Sequence, residues 1–176
     1  ISTRVPVCYL LSRSQRAEDL SIVIDDEHGG RLAISHLLAL GRRRIAYVSG
    51  PQKHQSARLR HSGMAEQLRS AGIDPAEGAV LWGEWSEAWG RQAASILVRS
   101  DRPFDAVFCG SDQIARGLVE QLQLEGRRVP EDVSVVGYDN WDVMALASRP
   151  QLTTIDPRLD ELGRVAAESV LAALAG

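Results

Sequence analysis

The stretch "GRRVPEDVSVVGYDN" (Gly126–Asn140) joins a charged loop to a short apolar run, Val133–Tyr138, that ends on Gly-Tyr-Asp. An unbroken apolar run bounded by turn residues reads as a strand covered on both faces, the kind found in parallel sheets. Asp139 stands where that strand leaves the sheet. An acid there is either ordinary α/β architecture or an acceptor aimed at something bound above the sheet, and both readings are open at this point.

The same pattern repeats outward in both directions. "RIAYVSG" (Arg44–Gly50), "AVLWGE" (Ala79–Glu84), "FDAVFCG" (Phe104–Gly110) and "LTTI" (Leu152–Ile155) read as further strands, and "VPVCYLL" (Val5–Leu11) and "LSIVI" (Leu20–Ile24) as β-rich runs near the start. Between them lie helix-like stretches. "EHGGRLAISHLLALG" keeps Ala33, Leu37 and Leu40 on one face and stops at Gly41. "SARLRHSGMAEQLRSAG" offers Ser56 as an N-cap and Gly72 as a stop, and "SEAWGRQAASILVRS" offers Ser86 as a cap. "SDQIARGLVEQLQLEG" sets Ile114, Leu118 and Leu122 four apart, and "LDELGRVAAESVLAALAG" closes the chain. Strands alternating with helices of this length imply an α/β fold: a doubly wound parallel sheet with helices on both faces.

The 176 residues, 44% hydrophobic and 24% charged, suit a soluble globular protein of about one domain. A net charge of −3 argues against a nucleic-acid footprint on these residues. No apolar run approaches the roughly 18 residues that span a bilayer. Cys8 and Cys109 both sit in apolar runs and read as buried free thiols of a reducing compartment. Phosphate-binding glycine loops, a nucleophile elbow and a zinc-protease helix are all missing. His28, His36, His54 and His61 have no metal-ligand spacing. No catalytic residue, metal or cofactor is expected.

Ligands of open parallel sheets bind outside the carboxyl ends of the strands. That rim collects Arg58 or Arg60 after "RIAYVSG", Trp85 after "AVLWGE", Ser111 and Asp112 after "AVFCG", and Asp139 after "VSVVGY". A guanidinium, an indole, a hydroxyl and carboxylates suit a polyhydroxylated or heterocyclic small molecule. Each has a plainer reading. Asp112 sits in a helix first turn, where the dipole favours a carboxylate. Trp82, Trp85 and Trp89 are spaced as one core stripe, and Arg60 is an ordinary solvated helix arginine. "GRRRI" (Gly41–Ile45) complements a helix C-terminus, and "DDEHG" (Asp25–Gly29) is an acidic helix start rather than a metal site.

Five segments in order, "LALGRRRIAYVSGP", "SARLRHSGMAEQL", "FDAVFCGSDQIARG", "VPEDVSVVGYDN" and "PQLTTIDPRLDELGRVAAE", resemble the effector-binding core of lactose-repressor/purine-repressor (LacI/GalR) transcription regulators. The resemblance runs from about Val5 to Leu174. It implies two flavodoxin-like lobes of periplasmic-binding-protein type, an effector in the cleft between them, operator DNA bound through an N-terminal helix-turn-helix, a homodimer and a cytoplasmic location. On that pattern residues 1–25 are a remnant of the N-terminal lobe, 26–153 the C-terminal lobe, and 154–176 the segment and helix returning to the N-terminal lobe. The chain, which starts at Ile1 rather than Met, is then a fragment without the helix-turn-helix.

The resemblance also implies site residues. Arg60 matches the effector-clamping arginine, Asp139 the acid accepting from sugar hydroxyls or a base, and Trp85 the stacking aromatic. Ser111, Ser56, His54 and Asp25 match positions that touch effector in some members. Ser12-Arg13 stands where Asp-Arg is usual, and Pro157 where glutamine is common, so a sugar and a purine-like effector both stay open. Arg60→Ala and Asp139→Ala are each expected to abolish effector binding with the fold intact. The alternative to a regulator is a periplasmic sugar-binding protein of a transport system.

Overall fold

The computed structural model describes residues 6–17 and 19–175. Val5, where the first β-rich run was expected to begin, and Gly176 lie outside them. The chain forms two compact units, one of residues 1–25 with 157–176 and one of residues 26–156.

The larger unit is built on five parallel strands: β3 (Ile45–Ser49), β4 (Val80–Trp82), β5 (Ala106–Cys109), β6 (Ser134–Tyr138) and β7 (Thr153–Ile155), in the order β4-β3-β5-β6-β7. Counted within this unit the order is 2-1-3-4-5, the doubly wound flavodoxin-like arrangement expected from the sequence. Every residue of β3, β5 and β6 is buried, because helices cover both faces. On one face lie α1 (Asp26–Ala39) and α2 (Gln55–Ser70), packed on each other. The other carries α3 (Glu87–Arg99) and α4 (Asp112–Leu124), also paired. Alternation along the strands divides the core accordingly. Ala46, Val48, Val107, Cys109 and Val135 join Leu97, Ile114, Leu118 and Leu122 in one cluster under α3 and α4. Burial pushes the Cys109 thiol far above its ordinary range, so it stays a packed thiol.

The expected stops at Gly41 and Gly72 hold, and Gly126 ends α4 in the same way; their φ values are +79°, +73° and +79°, conformations that cost glycine nothing. Ser86 caps α3, its Oγ accepting from the Trp89 N–H at 3.1 Å. Three expectations need correction, and one element is additional. Leu40 lies just past the end of α1 and is 56% exposed, and Ile34 takes its place in the core beside Ala33 and Leu37. Ser56 is not a cap, because α2 starts at Gln55 and its N-cap is His54, whose side chain caps nothing. Cys8 is only half-buried, on a strand whose other residues are exposed. A four-residue helix, α5 (Asp142–Ala145), follows β6 where the sequence showed no periodicity.

The smaller unit pairs β1 (Cys8–Leu10) with β2 (Leu20–Ile22) in parallel and packs α6 (Leu159–Ala175) on β1. Its elements leave Tyr9, Leu10, Leu20, Leu171 and Leu174 exposed. No helix among the described residues is long and apolar enough to cross a membrane.

Candidate effector site on the carboxyl rim of the larger sheet

The order of strands reverses between β3 and β5, the topological switch point where doubly wound sheets bind ligands. At the carboxyl ends there, Ser49-Gly50 and Gly110-Ser111 lie side by side, and Asp139 follows β6 next along. Close approach decides this geometry. A Cβ on Gly110 would stand 2.2 Å from the Ser49 hydroxyl. That hydroxyl donates to Tyr47 Oη (3.0 Å), which in turn donates to the Ala57 carbonyl (2.9 Å) and ties β3 to α2.

Arg60 reaches the rim from the second turn of α2 and is 6% exposed. Its Nε donates to Asp26 Oδ1 at 2.8 Å and its Nη1 to the Gly110 carbonyl. The guanidinium carbon lies 3.5 Å from the centre of the Tyr138 ring, a cation–π stack, and Nη1 is 3.8 Å from Asp139 Oδ1. A buried arginine is tolerable only with this degree of partnering. Glycines make it possible: a Cβ on Gly30 would meet the Arg60 carbonyl oxygen at 2.2 Å, and one on Gly63 the backbone of Glu27. Only helices without those methyls bring Asp26 and Arg60 within reach. The reading of Arg60 as an ordinary solvated helix residue is therefore overturned, since its charge is internal.

Asp139 differs. Its side chain is 37% exposed against 7% for Arg60. Its backbone has φ +114° and Asn140 has +49°, left-handed conformations that cost a non-glycine residue on the order of 1–3 kcal/mol. Burial pushes the Asp139 carboxyl up to about 6; Arg60 opposes this, and the carboxylates of Asp112 and Asp26 add to it. Four charged groups thus share the corner, three of them acids.

Trp85 lies beyond Gly50, where a Cβ would meet the indole at 2.2 Å, and packs on the α3/α4 core. Its Nε1–H donates to His54 Nδ1 at 2.8 Å, with the rings stacked 6.1 Å apart. Trp85 and His54 are therefore brought together, and the indole is part packing and part rim. Trp82 and Trp89, its neighbours in sequence, are structural: Trp82 packs edge-on to Tyr47, and Trp89 donates to the Ser49 carbonyl at 3.0 Å. Ser111 is 5% exposed and caps α4, its Oγ accepting from the Ile114 N–H at 3.3 Å. Ser56 is half-buried in the first turn of α2. Asp25 is exposed just ahead of α1 and belongs to the smaller unit.

Sequence reasoning missed Asp26 and Tyr138, which hold Arg60, and Thr154, which binds Asp112. Only the Gly29-Gly30 pair after Asp26 hinted at a close helix approach. "GRRRI" proved to be a staple: Arg42 donates to Ser134 Oγ (3.0 Å) and to the carbonyls of Pro130 and Glu131, and Arg44 pairs with Asp105.

A family model described as a periplasmic binding protein-like domain matches residues 34–176. The chain is 36% identical over 160 residues to the HTH-type transcriptional regulator CelR of Thermobifida fusca, covering 90% of this chain and 47% of that protein. It is 34% identical over 169 residues to the lactose operon repressor of Escherichia coli K12, covering 96% and 46%. Among solved structures, a LacI transcriptional regulator from a Rhodococcus species superposes with a TM-score of 0.89 at 31% identity, covering 98% of this chain and 63% of that one. The chain spans about half the length of the curated relatives it matches.

Proposed function

The chain belongs to the periplasmic-binding-protein-like domain family in the form carried by LacI-type transcription regulators, and on that premise we propose that it senses a small-molecule effector. The larger unit corresponds to the C-terminal lobe, and the smaller unit to strands and the returning helix of the N-terminal lobe. The whole protein is a regulator that reads operator DNA through a helix-turn-helix, as a homodimer in the cytoplasm. Effector binding there favours one conformation over another and so alters operator affinity. The domain itself catalyses nothing. Relatives named as regulators and repressors support this reading over a transport protein.

The observation that carries the proposal is the Asp139 carboxylate, left partly open beside a guanidinium whose own charge is already used. The group offered to solvent is an acceptor. It suits a neutral ligand rich in hydroxyl or ring N–H donors, a sugar or a purine-like molecule, with the Trp85 face alongside. Ser111, Ser56 and His54 play lesser parts; Ser111 acts through the helix it caps.

A thermal-shift screen of neutral mono- and disaccharides, nucleosides and sugar phosphates on the whole regulator identifies the effector, and calorimetry then compares Asp139→Ala with the parent. A charge-assisted hydrogen bond of about 1.5–3 kcal/mol predicts a loss of at least tenfold in affinity. Unchanged affinity in Asp139→Ala overturns the site.

A further inference from the structure

The turn that carries Asp139 is held from below by a residue that no ligand would reach. Asp112, the first residue of α4, is 0% exposed. Its Oδ2 accepts from the Trp141 N–H at 2.8 Å, and its Oδ1 accepts from the Thr154 hydroxyl at 2.6 Å. Thr154 Oγ1 in turn accepts from the Asn140 N–H at 3.2 Å. Both backbone amides that follow Asp139 therefore lead back to one buried carboxylate, one directly and one through a hydroxyl relay. The Asp139 N–H donates to the Ile155 carbonyl at 3.0 Å, so β7 closes the turn from its other side. Room for this arrangement is reserved in β6, where a Cβ on Gly137 would stand 2.2 Å from Asp112 Oδ1.

This arrangement exceeds what a helix first turn needs. Ser111 already caps α4, and the Asp112 side chain makes no cap of its own helix. Its two oxygens are instead committed to a neighbouring loop and strand. Without those acceptors, the bond from the Asp139 N–H to the Ile155 carbonyl and the nearby Arg60 guanidinium are left to oppose the return of Asp139 and Asn140 from φ of +114° and +49° to the ordinary negative range. The carboxylate would then point elsewhere.

We propose that Asp112 is a positioning residue of the effector site, acting with Thr154 to hold the left-handed turn Asp139–Asn140 and so aim the Asp139 carboxylate at the ligand. The proposal rests on the effector reading for its purpose, while the positioning itself is testable with no ligand present.

The test follows two readouts on the 176-residue chain: amide hydrogen exchange at Asn140 and Trp141, and the titration midpoint of the Asp139 carboxyl by carbon-detected NMR. Thr154→Val keeps the shape of the side chain and removes the relay. It should speed exchange at Asn140 by roughly tenfold and lower the Asp139 midpoint from about 6 toward the ordinary value of about 4, as the carboxyl swings into water. Asp112→Ala should also free the Trp141 amide; if that variant does not fold, Thr154→Val decides alone. Faster exchange with an unmoved Asp139 midpoint would mean that the relay is structural only, and an unmoved exchange rate would mean that it does not hold the turn. Either result overturns the proposal. Because no ligand enters, such a failure leaves the effector reading standing, and an unchanged affinity in Asp139→Ala would leave the turn result standing.

Discussion

The exits of β5 and β6 are neighbours on the same rim, and each runs from a buried strand into an acid and a helix. At β5, Ser111 is extended (φ −157°, ψ 160°) and caps α4, and Asp112 is sealed with both oxygens in use. At β6, Asp139 and Asn140 are left-handed, the helix that follows has four residues, and the Asp139 carboxyl stays partly open. Burial raises both carboxyls above their ordinary range, yet one is a fastener and the other is partly open to solvent. The acid type and the strand before it are alike at the two exits. Backbone conformation and the partners it permits separate them.

The comparison breaks most severely at Arg60, which borders both exits through the Gly110 carbonyl and Asp139. Arg60→Ala leaves Asp26 buried without its partner and should cost about 3–5 kcal/mol of stability, seen as a lower urea midpoint. The expectation from sequence that this variant would lose binding with its fold intact is revised accordingly. A destabilisation near zero would mean that Asp26 finds another partner or water.

A smaller effect sharpens the contrast in charge. Folded Asp139 holds its proton up to about pH 6, whereas an unfolded aspartate releases it near pH 4. Between those values the folded chain binds more protons than the unfolded one, so this group's contribution to stability is full below about pH 4 and is lost as pH rises through about 6. Asp132, held down to about 2 chiefly by its hydrogen bond to Arg128, works in the opposite sense at lower pH. The wild-type curve minus that of Asp139→Asn isolates the first contribution. That difference should slope downward between pH 4 and 6, and a flat line would show that Asp139 titrates normally.

The smallest effect is expected farther along the rim. His54→Ala removes the acceptor of the Trp85 N–H at a half-open position, and should change stability by no more than about 1 kcal/mol while altering the tryptophan emission. A loss as large as that of Arg60→Ala would make the pair a structural lock rather than part of the rim.

Much of this was legible in the chain itself. Strand runs, glycine stops and the apolar spacing of Ile114, Leu118 and Leu122 reflect short-range geometry that a sequence pattern encodes directly. Asp139 and Trp85 were singled out because each follows a strand, whereas only the family resemblance separated Arg60 from Arg58. Asp26 and Thr154 were not, since Asp26 meets Arg60 across 34 positions and Thr154 meets Asp112 across 42. No local pattern marks partners that distant.

The sequence by itself determined the alternation of buried strands and amphipathic helices, and with it a parallel sheet that gathers Asp112 and Asp139 on its carboxyl rim. Only the tertiary structure decided which rim acid is closed and which is open. Burial, the approach of glycine-bearing helices and the left-handed turn after β6 are set by contacts between segments that the chain order keeps apart.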